Sequence, residues 1–333
     1  MPAGHHVIGE AGSLLVVYHG HGGNVAPVVA AAIHAGVLPP DRPPTRAELL
    51  ALPLVKRAPR DAMGRIGVMG RDSASNLVCY LANRARFAVL LHVLREVGAR
   101  LGVTLDDVLF VDVMPEVNRA MRLGGLITQG LGLGGLGSLL STSGTSRAYA
   151  GLAGLAQRSR EQAQGRSGRP QPPARKVKVF YHCYGSSHTS VIAAAIHIGR
   201  LPETRVPSSR ELVSVPHFDE VRAALGTAFL AGSGQDGEEV YVVGFGPGRD
   251  IIRRALETFL DLRGVPARDY VLADALDRAG WVVKVGGIVS RRIGLVSVGR
   301  PLAALGVRLA YRRFLELVRE TRAEVRRKMG LGD

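Results

Sequence analysis

The fold of this chain is decided by a segment that occurs twice. Residues 18–39 have the sequence YHGHGGNVAPVVAAAIHAGVLP, and residues 181–202 have the sequence YHCYGSSHTSVIAAAIHIGRLP. The two segments are offset by 163 positions (181 − 18), and they share the opening Tyr-His pair, the Ala-Ala-Ala-Ile-His run and the closing Leu-Pro. This pattern predicts a short apolar strand, a turn and an alanine-rich helix. We therefore expect the chain to contain the same α/β element twice.

The similarity continues well beyond this segment. After one deletion the offset becomes 162, and matches continue to the end of each copy. Solenoid repeats have periods of about 20–50 residues, so a period this long predicts duplicated domains. We expect a first copy at 13–157, a basic Pro/Gly-rich linker at 158–175 and a second copy at 176–330. The matches include Pro44 with Pro207, Glu48-Leu49 with Glu211-Leu212, Pro53 with Pro216, Gly102-Val103 with Gly264-Val265, Asp112 with Asp274, Gly124-Gly125 with Gly286-Gly287, Gly132-Leu133 with Gly294-Leu295 and Ala148-Tyr149 with Ala310-Tyr311.

Each copy alternates strand-like and helix-like segments. Pro27 suits a first helical position, and Gly36 and Gly199 suit helix C-caps. Strands separated by helices predict a mostly parallel sheet, so each copy should be a Rossmann-like three-layer α/β unit. We also expect the two copies to pack as an intramolecular pseudo-dimer. In the second copy the expected strands are Val177–Cys183, Glu239–Gly244, Asp269–Asp274 and Leu295–Val298, and the expected helices are Ser190–Ile198, Asp250–Arg263 and a long final helix.

The composition is that of a globular protein of two domains. The chain has 333 residues, of which 46% are apolar and 21% charged. No apolar run reaches the roughly 18 residues that span a bilayer, so we expect no membrane association. The first apolar segment lacks a basic region before it and contains Glu10, which argues against a signal peptide and favours the cytoplasm. The two cysteines are at non-equivalent positions, as fits a reducing compartment.

The net charge of +15 is concentrated in two segments. Residues 158–178 contain seven positive and one negative residue, and residues 308–328 contain eight positive and three negative ones. The rest of the chain is close to balanced, so the charge does not favour a nucleic-acid partner. A solvated linker and a solvated last helix explain it. The alternative function is a non-catalytic scaffold or regulatory protein that engages an acidic partner through these two segments.

The second copy resembles a known family of proteins. The resemblance rests on Tyr181–Ser190, on Gly286-Gly287 through Ser290-Arg291-Arg292, and on Gly299-Arg300-Pro301. These residues look like the domain-of-unknown-function family 3189, which is found in Firmicutes, and the first copy resembles it more weakly. The family has no established activity, so the resemblance implies a fold and candidate positions but no reaction and no cofactor. The first copy departs from the pattern at Gly20, Val25, Ala26, Gln129, Gly130 and Ser138.

Polar features of the second copy should meet at one edge of its sheet. Ligands of parallel α/β sheets bind beyond the carboxyl ends of the strands. The turn Cys183–Ser190 follows a strand and precedes a helix N-terminus, where unpaired N–H groups and the helix dipole favour an anion. We therefore expect a small phosphorylated or nucleotide-like ligand, with phosphoryl chemistry more plausible than redox chemistry if the protein is an enzyme. The expected ligand-binding residues are Tyr184, Gly185, Ser186, Ser187, His188, Thr189, Ser190, Gly244, Gly246, Arg291, Arg292 and Arg300.

Other interpretations of this turn stay open. One is that its Ser and Thr residues only cap the helix. Another is covalent catalysis, because Cys183 with Gly185 and Ser190 is similar to the loop of low-molecular-weight phosphotyrosine phosphatases, in which a cysteine attacks phosphate. Those enzymes need an arginine near the end of the loop, where this chain has Thr189. The candidate catalytic residues are Cys183, His188 and Asp274.

Metal and nucleotide cofactors are less well supported. The candidate ligands Cys183, His188 and Asp274 lack the short spacing of zinc sites, so no metal is expected. The turn also lacks the lysine of a Walker A loop. Gly244–Gly248 is only loosely similar to a dinucleotide-binding turn, and Pro247 removes a backbone donor from it. The cofactor therefore stays unknown.

Comparison of the two copies favours the second as the binding copy. Residues that serve only the fold should be kept in both. By this criterion the pair His34/His197 should stabilise a helix end, the pair His19/His182 should lie in the core, and Asp112/Asp274 should either cap a turn or serve a site. Ordinary drift is the alternative explanation for the unmatched residues. These are Cys183, His188, Thr189, Ser190, Gly246, Gly248, Arg291, Arg292 and Arg300.

Overall fold

A computed structural model describes residues 13–21, 25–55, 62–130, 134–164, 176–218, 225–278 and 296–331. The first copy contains β1 (Leu15–His21), α1 (Val25–His34), α2 (Arg46–Ala51), β2 (Ile66–Arg71), β3 (Leu77–Asn83), α3 (Phe87–Arg100), β4 (Val108–Asp112), α4 (Arg119–Gly130) and α5 (Gly134–Ala163). The second contains β5 (Lys178–Cys183), α6 (Thr189–His197), α7 (Ser209–Val213), β6 (Ala228–Ser233), β7 (Glu239–Gly244), α8 (Arg249–Leu262), β8 (Tyr270–Asp274) and α9 (Val296–Met329). No helix among these residues is long and apolar enough to cross a membrane.

The two sheets have the same topology. Their strand orders are β2-β3-β1-β4 and β6-β7-β5-β8. In each sheet three strands are parallel, and the edge strand, β2 or β6, is antiparallel to its neighbour. The predicted α/β fold in two tandem units with mostly parallel sheets is confirmed, and so is the parallel pairing of β5 with β8.

The fourth strand was predicted in the wrong place. Val296–Val298 opens helix α9, whereas the fourth strand of the second sheet is Ala228–Ser233, which the sequence pattern did not reveal. A run of only three or four mostly apolar residues has no resolvable period, so its surroundings decide between strand and helix. Helix α5 continues to Ala163, within the segment predicted as the linker, and residues 165–175 lie outside the described part of the chain.

Smaller expectations about the helix ends have mixed outcomes. Helix α1 begins at Val25, so Pro27 is its third residue and not its first. It still lies in the first turn, where the missing N–H costs no intrahelical bond. Gly36 and Gly199 have φ of 74° and 75°, which confirms both as left-handed helix C-caps.

One face of the second sheet carries the main core. Tyr181 of β5 and Val242 of β7 pack in it with Ile192 of α6 and Phe314 of α9. Side chains alternate between faces along a strand, so Phe180, the neighbour of Tyr181, lies on the opposite face. The first unit repeats this arrangement around α1 and α5.

A buried Tyr–His–carboxylate chain recurs in both copies. In the second, His197 Nδ1 lies 2.8 Å from the Tyr181 hydroxyl and its Nε2 lies 2.6 Å from Glu238 Oε1. Each buried polar group therefore has a partner, which offsets the cost of removing it from water. His34 and His197 lie in the last turns of their helices, as predicted, and their structural role also includes these side-chain hydrogen bonds. The first copy has the same contacts in Tyr18, His34 and Asp72.

The two compact units do not follow the two copies exactly in sequence. The first unit comprises Met1–Phe87, Thr104–Gln171 and Asp250–Gly264, and the second comprises Ala88–Val103, Pro172–Arg249 and Val265–Asp333. Helix α3, which is encoded in the first copy, therefore belongs to the second unit except for its first residue, Phe87. Helix α8, which is encoded in the second copy, belongs to the first unit except for its first residue, Arg249.

Candidate functional site

The turn Cys183–Ser190 lies at the carboxyl end of β5, the strand between β7 and β8. Cys183 is paired in register with Gly244, and the preceding His182 with Asp274. The topology thus brings the turn, the Gly244–Gly248 segment and Asp274 to the same edge of the sheet, as the sequence predicted.

The turn rests directly on the glycine segment after β7. The N–H of Phe245 donates to the Cys183 carbonyl at 2.9 Å, and the N–H of Gly246 donates to the Tyr184 carbonyl at 2.8 Å. A Cβ on Gly244 would lie 3.1 Å from the carbonyl carbon of Gly185, closer than most such contacts. Glycine at 244 therefore lets the turn approach the strand end.

The sulfur of Cys183 is held inside the turn. It lies 3.0 Å from Ser190 Oγ and accepts the N–H of Ser186 at 3.1 Å. Ser186 adopts φ of 49°, a left-handed conformation that is uncommon for residues other than glycine. Cys183 and Ser190 are both buried, so the turn is a packed and specific structure.

The first residue of α6 carries a buried hydroxyl group with no partner in the described structure. Thr189 is 2% exposed, and its Oγ1 has no hydrogen-bond partner among the described residues. The N-cap, His188, makes no side-chain capping bond, whereas α7 begins with a full capping box of Ser208 and Glu211. The N-cap position of α6 therefore lacks the side-chain capping bond that α7 has.

His188 and Tyr184 have different environments. His188 is buried, its Nδ1 lies 3.2 Å from Ser187 Oγ, and its ring meets Phe218 edge-on at 5.3 Å between centroids. Tyr184 is 47% exposed and stands at the outer side of the turn. His188, a predicted ligand residue, therefore also contributes to the packing of the turn.

Asp274 serves mainly to organise its own turn. Its Oδ1 accepts the N–H of Leu276 at 2.8 Å, and Oδ1 of the equivalent Asp112 accepts the N–H of Met114 at 2.9 Å. This shared contact explains why both copies keep the aspartate. In the second copy Asp274 Oδ2 also forms an ion pair with Arg249 Nε at 3.0 Å.

Arg249 is a residue that the sequence interpretation missed. It begins α8, directly after the glycine segment, and also binds Asp277 at 2.5 Å between Nη2 and Oδ1. The first copy has Phe87 at the equivalent position, 162 residues earlier. That difference is the signal that could have identified this cation at the sheet edge.

The predicted arginines cannot be placed against the turn. Arg291 and Arg292 lie outside the described residues. Arg300 belongs to α9, but its side chain is outside the described part of the structure.

The histidines that the two copies share on β1 and β5 lie in the core, as predicted. His19 and His182 are 7% and 0% exposed. Each stacks on a phenylalanine, Phe87 at 3.6 Å and Phe245 at 4.3 Å between ring centroids. Burial lowers the pKa of His19 to about 4, and the charge of Asp112 opposes this shift.

The first copy fills the space that the cysteine occupies in the second. Gly20 stands where the second copy has Cys183. A Cβ on Gly20 would lie 3.0 Å from Val113 Cγ2 and 3.2 Å from Pro27 Cγ, and Pro27 replaces Ser190. The described part of the first turn therefore lacks both the sulfur and the hydroxyl group.

Other potential sites receive little support. A cavity of about 390 Å³ lies near Lys176, Asp236 and Arg268, at the opposite, amino end of the second sheet. It does not include any residue of the turn. Among the described residues, no three His, Cys, Asp or Glu side chains cluster as metal ligands would.

Comparison with known proteins gives a family and no activity. A family model described as "Protein of unknown function (DUF3189)" matches residues 15–161 and again residues 178–323. The two matches coincide with the two copies and confirm the resemblance drawn from the motifs. No curated protein and no solved structure matches the chain.

Proposed function

The chain belongs to the family DUF3189, of which it carries two tandem copies, and from that premise we propose that the second copy binds a small phosphorylated or nucleotide-like anion at Cys183–Ser190. The buried Thr189 hydroxyl group is the observation that carries the proposal. A buried polar group without a partner costs about 1–3 kcal/mol, and a bound anion would remove that cost. The N–H groups of the first turn of α6 would add donors to the same ligand.

Arg249 brings positive charge to this edge of the sheet, and a bound anion would rearrange its ion pairs. Arg249 is held by Asp274 and Asp277, and it is 23% exposed at its side chain. We propose that a bound phosphate competes with Asp277, which is 63% exposed, for this guanidinium group. Hydrogen bonds to charged groups contribute about 1.5–3 kcal/mol each, so two or three of them support binding from the millimolar range toward the micromolar range.

Phosphoryl chemistry is the extension of this proposal, with Cys183 as the nucleophile. Its thiol would give its proton to solvent, and the thiolate would attack phosphorus and form an S–P bond while the P–O bond to the leaving alkoxide breaks; the alkoxide would take a proton from solvent. Water would then hydrolyse the S–P bond and release phosphate. The turn itself has no arginine, so Arg249, Arg291, Arg292 or Arg300 would have to neutralise the phosphoryl oxygens.

The acidic-partner hypothesis has less support. Within the last helix, Arg322 pairs with Glu203 and Arg326 pairs with Asp236. Arg160, within the predicted linker, donates to the carbonyl of His34 at the end of α1. Cations engaged in this way are less available to a partner. We keep the cytoplasm as the proposed location on sequence grounds alone.

A thermal-shift screen against inorganic phosphate, nucleotides and sugar phosphates tests the proposal. We expect at least one of them to raise the melting temperature of the wild type. The double variant His188→Val, Thr189→Ala introduces the residues of the first copy, and it should lose at least tenfold in affinity.

The matched control is Val25→His, Ala26→Thr in the first copy, which should leave binding unchanged. Equal losses from both double variants would show that both turns bind. Absence of any shift with wild type would overturn the anion proposal. Unfolding of the second-copy variant would show that His188 and Thr189 have a purely structural role in the turn.

A further inference from the structure

The edge strand of the second sheet is covered by a helix from the first copy. The N–H of Ala228 on β6 donates to Glu96 Oε2 at 3.4 Å, and Arg100 donates to the Ala228 carbonyl at 2.8 Å. Glu96 and Arg100 form an i,i+4 ion pair on α3. Exposed edge strands invite pairing with foreign strands, so these bonds protect an otherwise open edge.

The start of β6 is shaped to receive α3 closely. Gly226 has φ of 99°, and a Cβ there would lie 2.8 Å from His92 Cδ2 and 3.1 Å from the backbone N of Val93. His92 Nε2 also lies 3.0 Å from the hydroxyl oxygen of Thr227. The buried apolar residues of α3 are Leu90, Val93, Leu94 and Val97.

The first unit shows the same arrangement with α8. The N–H of Ile66 on edge strand β2 donates to Thr258 Oγ1 at 3.0 Å. Ile66 and Thr258 are the equivalents of Ala228 and Glu96 at the offset of 162. A Cβ on Gly64, the equivalent of Gly226, would lie 2.5 Å from the Ile251 carbonyl oxygen. The exchange of helices is therefore reciprocal at equivalent positions.

We propose that this sheet edge is an interaction surface for the helix of another copy of the same unit, and that the first copy persists because α3 completes the second. The first copy has lost the cysteine and hydroxyl residues of the turn but keeps its apolar pattern. To complete the fold of the second copy, the first copy needs its apolar pattern but does not need a binding site. The inference is independent of the anion proposal, because it concerns which helix covers which sheet.

A double-mutant cycle on the full chain tests the exchange. Arg263, just after α8, forms a buried ion pair with Asp107 of the first copy, whereas the aspartate equivalent to Asp107 in its own copy is Asp269. We expect Arg263→Ala and Asp107→Ala each to raise the unfolding equilibrium constant at least tenfold, and the double variant to be little worse than either. Arg263→Ala and Asp269→Ala should instead act independently. Coupling to Asp269 and not to Asp107 would overturn the proposal.

A second measurement covers the case in which these variants do not fold. A protease site is inserted between residues 165 and 175 of the otherwise unaltered chain, and the protein is cut in its native state. Exchanged helices should hold the two fragments together at nanomolar concentration in gel filtration, with unchanged circular dichroism. Separation into two folded fragments would overturn the proposal.

Discussion

The sulfur of Cys183 lies 3.0 Å from the hydroxyl oxygen of Ser190, which joins the end of β5 to the first turn of α6. An anion bound in the turn would cover this sulfur. The other cysteine, Cys79, is fully buried in β3, and burial raises the pKa of its thiol.

We expect iodoacetamide to label Cys183 well before Cys79, and saturating inorganic phosphate to slow Cys183 labelling at least fivefold. Mass spectrometry of the labelled peptides gives both rates, with Cys79 as the internal control. Unchanged Cys183 labelling at a phosphate concentration that raises the melting temperature would place the anion elsewhere.

Thr189→Val should have opposite effects on stability and on binding. Valine has nearly the shape of threonine but no hydroxyl group, so the variant removes a buried polar atom that has no partner among the described residues. We expect the free energy of unfolding without ligand to rise by about 1 kcal/mol, and phosphate affinity to fall by about tenfold. Denaturant unfolding and calorimetric titration measure the two effects. Ser187→Ala is the comparison, because Ser187 Oγ lies 3.2 Å from His188 Nδ1 and its loss should destabilise. A destabilised Thr189→Val would show that the hydroxyl group has a protein partner.

The sequence predicted those parts of the fold that depend on short-range pattern. Strand Glu239–Gly244 was located to the residue, and Gly36 and Gly199 were recognised because a left-handed helix end favours glycine. Edge strand Ala228–Ser233 was missed because four of its six residues are small and occupy both faces, which removes the alternation. Pattern along the chain also carries no information about which sheet α3 covers, because that is a contact between distant residues.

The sequence also predicted part of the candidate site. The turn, the glycine segment and Asp274 lie at the carboxyl ends of three neighbouring strands of one sheet, so topology alone brings them together. Arg249 was missed because its role depends on an ion pair with Asp274 across two strand ends. The packing of His188 against Phe218 could not be foreseen either, since 30 residues separate them.

Stability should depend on His19 in mildly acidic solution. Burial holds the pKa of His19 at about 4, below its ordinary value of 6.5. Between these two pH values the histidine is therefore protonated in the unfolded chain and neutral in the folded chain. The contribution of this group is therefore present above pH 6.5 and is lost progressively as the pH falls toward 4, by up to about 3 kcal/mol. His19→Phe should make the pH dependence of unfolding shallower over this range. The exposed His21→Gln is the control, and an identical pH dependence in wild type and His19→Phe would contradict the prediction.

Gly226→Ala should destabilise the protein more than Gly199→Ala does. Both glycines have positive φ, at 99° and 75°, so alanine is strained at either position by about 1–2 kcal/mol. A Cβ on Gly199 would meet nothing within 4 Å, whereas a Cβ on Gly226 would run into His92 of α3. Overpacking of that kind costs about 1–3 kcal/mol more, and the difference should appear in denaturant unfolding.

The same pair of variants also reports on the helix exchange. Because His92 is encoded in the first copy and Gly226 in the second, His92→Ala should partly relieve the defect of Gly226→Ala by removing the Cδ2 atom that would lie 2.8 Å from the new methyl group. The relief should be incomplete, since the backbone N of Val93 stays 3.1 Å away. His92→Ala should not relieve Gly199→Ala. Strict additivity of His92→Ala with Gly226→Ala would mean that another helix covers the start of β6.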